Sequence, residues 1–242
     1  MRYAFAIRIA PILVLLGFLT SAQQVTGEYR ETKVSGGGEV TGRIFFDSDY
    51  PPPETIRPDR DADTCGIRVP SEKFVVDEEG KGLANVIVRL EGVTVGKPFA
   101  DAEAKIDQIK CRYEPHVTVV RPGKPFNIVN QDPILHNVHA YRGDDTVFNL
   151  AQPFQGQATP QTLGDEGLIR VKCDVHSWME AWVLVIDNPY FAITDAQGNY
   201  DISEVPPGSY KVTMWHEALG EASKQVSVTS GQASEVDFSI GE

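Results

Sequence analysis

Cys173, His176 and Met179 stand three residues apart in the run Cys173-Asp174-Val175-His176-Ser177-Trp178-Met179, which puts a thiolate, an imidazole and a thioether in one short segment. Thiolate and thioether favour Cu(I), and imidazole serves both oxidation states. A His2Cys set with a long axial Met is the donor set of copper centres that change oxidation state. Zinc is less well served by a thioether, so a single copper ion suits these residues best. The second His must come from elsewhere, and Ile134-Leu135-His136-Asn137-Val138-His139 offers two. In an extended segment His136 and His139 face opposite sides, so one of them points at the metal. His116, in Cys111-Arg112-Tyr113-Glu114-Pro115-His116, is a further candidate ligand, weighed against a structural role at the start of a strand.

These residues need rigid elements on either side. Runs rich in Val, Ile, Phe and Tyr, bounded by Gly, Pro, Asn and Asp, recur at residues 40–46, 84–90, 117–120, 126–129, 168–171 and 181–186, and they predict short strands. The ligand run then becomes a loop held between two strands. His136 follows the turn Asn130-Gln131-Asp132-Pro133, at an end of the sandwich where loops cluster. Only the polar stretch 101–110 keeps a helical period. The sequence therefore predicts an all-β protein, with a copper domain over 39–188 interrupted by a long excursion at about 47–82. Texture changes near Asn188-Pro189-Tyr190. Beyond it, turn signals at Asp195-Ala196-Gln197-Gly198 and Pro206-Pro207-Gly208 predict a second, small β-sandwich over 189–242.

The amino terminus carries Arg2 and Arg8, an apolar run over 9–19, and the small residues Ser21 and Ala22. This reads as a signal peptide over 1–22, with an uncleaved anchor as its rival. A polar, flexible linker ending in Gly36-Gly37-Gly38 follows over 23–38. Export, to a periplasm or beyond, implies an oxidising compartment. Of three cysteines at most two can pair internally. Cys173 has metal-type neighbours, so the expected disulfide is Cys65 with Cys111, with a pair of reactive thiols as the rival. The formal charge of −12 becomes −14 once Arg2 and Arg8 leave, which speaks against nucleic acid and anionic lipid as partners and leaves a basic protein surface open. No segment after the signal is apolar enough to span a membrane. Haem-attachment, phosphate-loop and nucleophile-elbow motifs are missing from the sequence, which reads as an electron carrier more readily than a catalyst.

At Leu135-His136-Asn137-Val138 and Cys173 to Met179 the chain resembles the cupredoxins, the family of plastocyanin and amicyanin, over roughly residues 114–188. The resemblance implies a Greek-key β-sandwich that the strands of 38–91 would complete. It also implies His136, Cys173 and His176 as equatorial ligands, Met179 as axial ligand, and Asn137 as the residue tying the two ligand loops together. It further implies electron transfer through a type 1-like centre, with the outer edge of His176 as the exit and a redox protein as partner. The tail resembles carboxypeptidase-regulatory-like modules through Asp195, Gly198, Pro206, Pro207, Gly208 and Tyr210. Together the two parts resemble exported bacterial proteins labelled methylamine-utilization proteins. A copper-binding, storage or assembly protein without redox turnover is the alternative. Reversible one-electron cycling without metal loss separates the two.

Overall fold

A computed structural model describes residues 29–49, 54–100 and 103–241. The expected signal peptide and the first part of the expected linker lie outside the described residues. Among those residues Ala62–Cys65 is the only α-helical segment, and no helix is long and apolar enough to cross a membrane. The chain is all-β and builds two sandwiches.

The first sandwich holds the candidate metal residues. One sheet runs Ala158–Thr162, Pro125–Asn130, Lys105–Gln108, Tyr113–Glu114, and the facing sheet runs Asp145–Gln152, His136–Arg142, Gly167–Lys172, Glu180–Val185, Val117–Val120. Alternating side chains from both sheets, among them Ile106, Phe126, Ile128, Val138, Ile169, Val171 and Val183, fill the space between them. Residues 101–110, expected to be the one helical stretch, instead contain the strand Lys105–Gln108. Its alternation buries Ile106 and Gln108, and it pairs in parallel with Pro125–Asn130. Long-range pairing overrides a weak local period.

The second sandwich is built from both ends of the described chain. One sheet runs Phe191–Ile193, Ile87–Glu91, Gly208–His216, Gly220–Val228. In the other, Gly38–Phe46 lies between Asn199–Val205 and the parallel strands Ala233–Glu235 and Phe238–Ile240. Val40, Ile44, Phe46, Val88 and Leu90 share one core with Ile202, Val212, Met214 and Phe238. This partition differs from the expected break after residue 188. Strands 38–46 and 87–91 complete the C-terminal sandwich, and the strands of the first sandwich, from Lys105 to Val185, sit as an insertion between its two halves. Gly42 shows why Gly38–Phe46 fits there: a Cβ at this position would lie 2.2 Å from the Val236 carbonyl oxygen and 2.9 Å from the Tyr200 hydroxyl. Part of the expected linker is also ordered, since Arg30–Glu31 pairs in parallel with Val95–Gly96 and Glu31 lies 3.0 Å from Arg121.

The sandwiches meet through Ile87, Val117, Leu184 and Ile186, flanked by Trp182 and Trp215, whose rings pack edge to face at 5.0 Å. Most of the long excursion folds back onto the first sandwich. Thr55–Ile56 pairs with Val69–Pro70, the helical turn Ala62–Cys65 lies between them, and a disulfide joins Cys65 to Cys111.

Candidate metal centre

His136 opens the strand His136–Arg142, Cys173 follows Gly167–Lys172, and His176 and Met179 lie in the turn leading into Glu180–Val185. That turn closes on itself: the Met179 N–H donates to the His176 carbonyl at 2.9 Å and the Cys173 N–H to the Met179 carbonyl at 3.3 Å. The two strand ends are tied by side chains. Asn137 Oδ1 accepts the Asp174 N–H at 2.5 Å, and its Nδ2 donates to Asp174 and to Asn149. The fully buried Tyr113 hydroxyl shares its one proton between the carbonyls of Asn137, at 2.8 Å, and Lys172, at 3.1 Å. One phenol therefore bridges the strands that carry His136 and Cys173.

His136 Nδ1 lies 3.0 Å from His176 Nδ1, and Cys173 Sγ lies 3.9 Å from His176 Nδ1. The three groups bring ligand atoms within 4.8 Å of one another, and their exposures are 0 %, 0 % and 2 %. Each imidazole is held from outside by a carboxylate: His136 Nε2 is 2.8 Å from Asp132 Oδ2, and His176 Nε2 is 2.9 Å from Asp61 Oδ2. An ionised carboxylate can only accept, so both Nε2 atoms carry the proton and both Nδ1 atoms turn a lone pair inward. Two buried nitrogen lone pairs converging at 3.0 Å beside a thiol repel unless a proton or a cation lies among them.

The protonation balance follows the same contacts. Burial alone would raise the Cys173 thiol, but the His136 ring and the backbone N–H groups of Asn137 and His176, both 3.4 Å from Sγ, outweigh it and hold the thiol below its usual range. Burial would lower His136, but Asp132 and Cys173 hold it above its usual value. Burial lowers His176, and Asp61 only partly opposes this. The same contacts that orient the rings thus ease loss of the Cys173 proton, and thiolate with imidazole is the donor chemistry copper uses.

Two segments that the sequence reading did not connect to the site build its outer wall. Asp132 accepts the N–H groups of Lys110 and Cys111, each at 2.8 Å, as well as the His136 ring, so the disulfide-bearing turn and the ligand share one carboxylate. Both sulfurs of the Cys65–Cys111 disulfide lie within 4.8 Å of a His176 ring nitrogen. Trp178 packs edge to face on His176 at 5.2 Å and donates its indole N–H to the Cys111 carbonyl at 3.1 Å.

His139 does not join His136. It sits on the other side of the strand, stacked on Tyr141 and bonded to Asp174 at 3.0 Å and Thr146 at 2.8 Å. His116 is also elsewhere, with Nε2 2.6 Å from Glu217 at the contact between the sandwiches. Met179 is buried in the same core as Cys173. The expectation that the outer edge of His176 reaches solvent fails, because that ring is fully buried and Asp61 covers its Nε2. Sequence reasoning missed Asp61, Asp132 and Tyr113. Asp132, four residues before His136, was the one within reach.

Comparison with known proteins places the family model of the carboxypeptidase regulatory-like domain on residues 180–241. No curated protein matches the sequence. Among solved structures, the chain is similar to a purple cupredoxin from Nitrosopumilus maritimus, at 20% identity, over 35% of this chain and 100% of that one, with TM-score 0.32. It is similar to the oxidised P96G variant of amicyanin at 26% identity, over 36% of this chain and 85% of that one, TM-score 0.32. It is also similar to a copper-containing nitrite reductase from Thermus scotoductus at 16% identity, over 38% of this chain and 24% of that one, TM-score 0.33.

Proposed function

We propose that this chain is an exported mononuclear copper protein that carries electrons. His136, Cys173, His176 and Met179 would hold the ion. The observation that carries the reading is the buried convergence of two Nδ1 lone pairs and a thiol, with both outer nitrogens already committed to Asp132 and Asp61. A bound copper ion supplies a one-electron couple. The protein's part is to keep the donors in one geometry in both oxidation states and to exclude water. The bonds linking Tyr113, Asn137 and Asp174 to the two ligand strands suit that task, since a rigid donor set needs little rearrangement on electron transfer. The acidic surface favours a redox partner with a basic face, whose association weakens as salt screens it.

The test is the optical and electron paramagnetic resonance spectrum of the Cu(II) protein beside Cys173→Ser. An intense visible thiolate-to-copper band, absent from the variant and bleached reversibly by a one-electron reductant, is the expected outcome. Copper binding without such a band, or a band that survives in Cys173→Ser, overturns the centre. Loss of copper on each reduction supports storage in place of electron carriage.

A further inference from the structure

Asp61 belongs to the excursion between the strands Gly38–Phe46 and Ile87–Glu91, 115 residues before His176 in the sequence. It occupies the N-cap position of the turn Ala62–Cys65, where an Asp side chain ordinarily accepts a backbone N–H of the first turn. Here it makes no such bond. Its backbone sits in the left-handed region, at φ 52, and its carboxylate turns away from the turn to reach His176 Nε2 at 2.9 Å. Two local preferences are thus given up at one residue for a single long-range contact. Cys65, at the end of the same turn, is anchored to Cys111, and Trp178 presses the Cys111 carbonyl against the ligand loop. The segment cannot drift from the ring while that crosslink stands.

Resting on the copper reading above, we infer that Asp61 is the positioning residue of His176. It accepts the Nε2–H, fixes the tautomer that leaves Nδ1 free beside His136 and Cys173, and seals the ring edge from solvent. Asp132 does the same for His136 from within the metal-bearing sandwich, whereas Asp61 does so from the inserted segment. The donor set is therefore completed only when the Cys65–Cys111 bond holds that segment in place. Electron exchange through a bare His176 edge is closed, and a partner at this face meets the Asp61 turn.

The experiment uses full-length protein with 15N-labelled histidine, as wild type, Asp61→Ala, Asp61→Asn and, as a control on the same turn, Asp63→Ala. Ring 15N–1H correlation spectra of the metal-free proteins read the tautomer directly. Cu(II) affinity is then measured by competition with a chelator. Wild type, Asp63→Ala and Asp61→Asn, whose amide oxygen still accepts, are expected to show His176 as the Nε2–H tautomer. Asp61→Ala is expected to show a mixture and a Cu(II) affinity about 10- to 100-fold lower. Unchanged His139 signals, remote from the turn, establish that the variants are folded. A His176 tautomer and affinity in Asp61→Ala equal to wild type overturn the inference. Because the tautomer is read without metal, failure of the copper reading itself, seen as a missing Cys173-dependent band, is a separate result.

Discussion

Glu217 is the most informative residue to change at the contact between the sandwiches. It lies in the turn between Gly208–His216 and Gly220–Val228, yet its carboxylate reaches the other sandwich. Oε1 is 2.6 Å from His116 Nε2, and Oε2 accepts the Trp182 indole N–H at 3.0 Å. The side chains of His116 and Glu217 are only 5% and 10% exposed, so solvent does little to screen the pair. In Glu217→Gln a single amide oxygen must serve two buried donors. The charged hydrogen bond, worth about 1.5–3 kcal/mol, becomes a neutral one of about 0.5–1.5, and one N–H is left unpaired at a further cost of about 1–3 kcal/mol. Allowing for local rearrangement, the expected loss is about 2–4 kcal/mol. Burial pushes Glu217 up, but His116 outweighs it and holds the carboxylate below its usual value; burial pushes His116 down, but Glu217 and Glu72 hold it above its own. The carboxylate's contribution is therefore present above about pH 4.3 and lost as pH falls through its folded value, while the imidazole's is full below about pH 6.5 and lost as pH rises through its folded value. Glu180 also favours the charged imidazole, Arg112 faces Glu72, and Lys73 and the nearby His216, pushed down to about 4 by burial, complete the surroundings. Urea unfolding of the metal-free proteins, followed through Trp182 and Trp215, measures the difference. A loss under about 0.5 kcal/mol, or one as large near pH 9 as near pH 6, refutes the charged pair as a source of cohesion.

Two smaller perturbations test other parts of the scaffold. Tyr113→Phe removes the hydroxyl that ties the His136 and Cys173 strands and leaves the buried Asn137 carbonyl and the half-buried Lys172 carbonyl without its proton, so thermal unfolding of the metal-free protein should show about 1–3 kcal/mol of destabilisation; no change would mean that the two strands do not depend on this tie. Gly42→Ala forces a methyl to within 2.2 Å of the Val236 carbonyl, so the C-terminal sandwich should unfold first while the ligand residues stay in place; an unaltered melting curve would mean that Gly38–Phe46 does not pair as described.

The clustering of Cys173 with His176 was legible because the two lie three residues apart in one turn and their chemistry is narrow. The disulfide partners followed from counting cysteines in a chain expected to be exported. The pairing of Gly38–Phe46 was not legible, since alternation tells which side chains are buried but not which strand lies beside them, and its partners begin at Asn199. Asp61 was hidden for the same reason: an acidic residue in a polar excursion carries no mark of a histidine 115 positions away. His116 and His139 were set beside His136 as candidates, and only the three-dimensional neighbours Glu217, Asp174 and Tyr141 separate them from it.

The insertion of one sandwich within the other gives the two very different loop lengths to close. Among the described residues every strand pairing of the inner sandwich closes within residues 105–185, and its longest joins Val117 to Trp182. The outer sandwich needs contacts such as Arg43 with Asp237, 194 residues apart. A chain emerging amino end first holds Val40, Ile44 and Phe46 without a core until its last strands arrive. With the inner sandwich formed, the loop that the outer one must close is shorter. The inner sandwich is thus both the guest of its host and the clasp that shortens the host's loops.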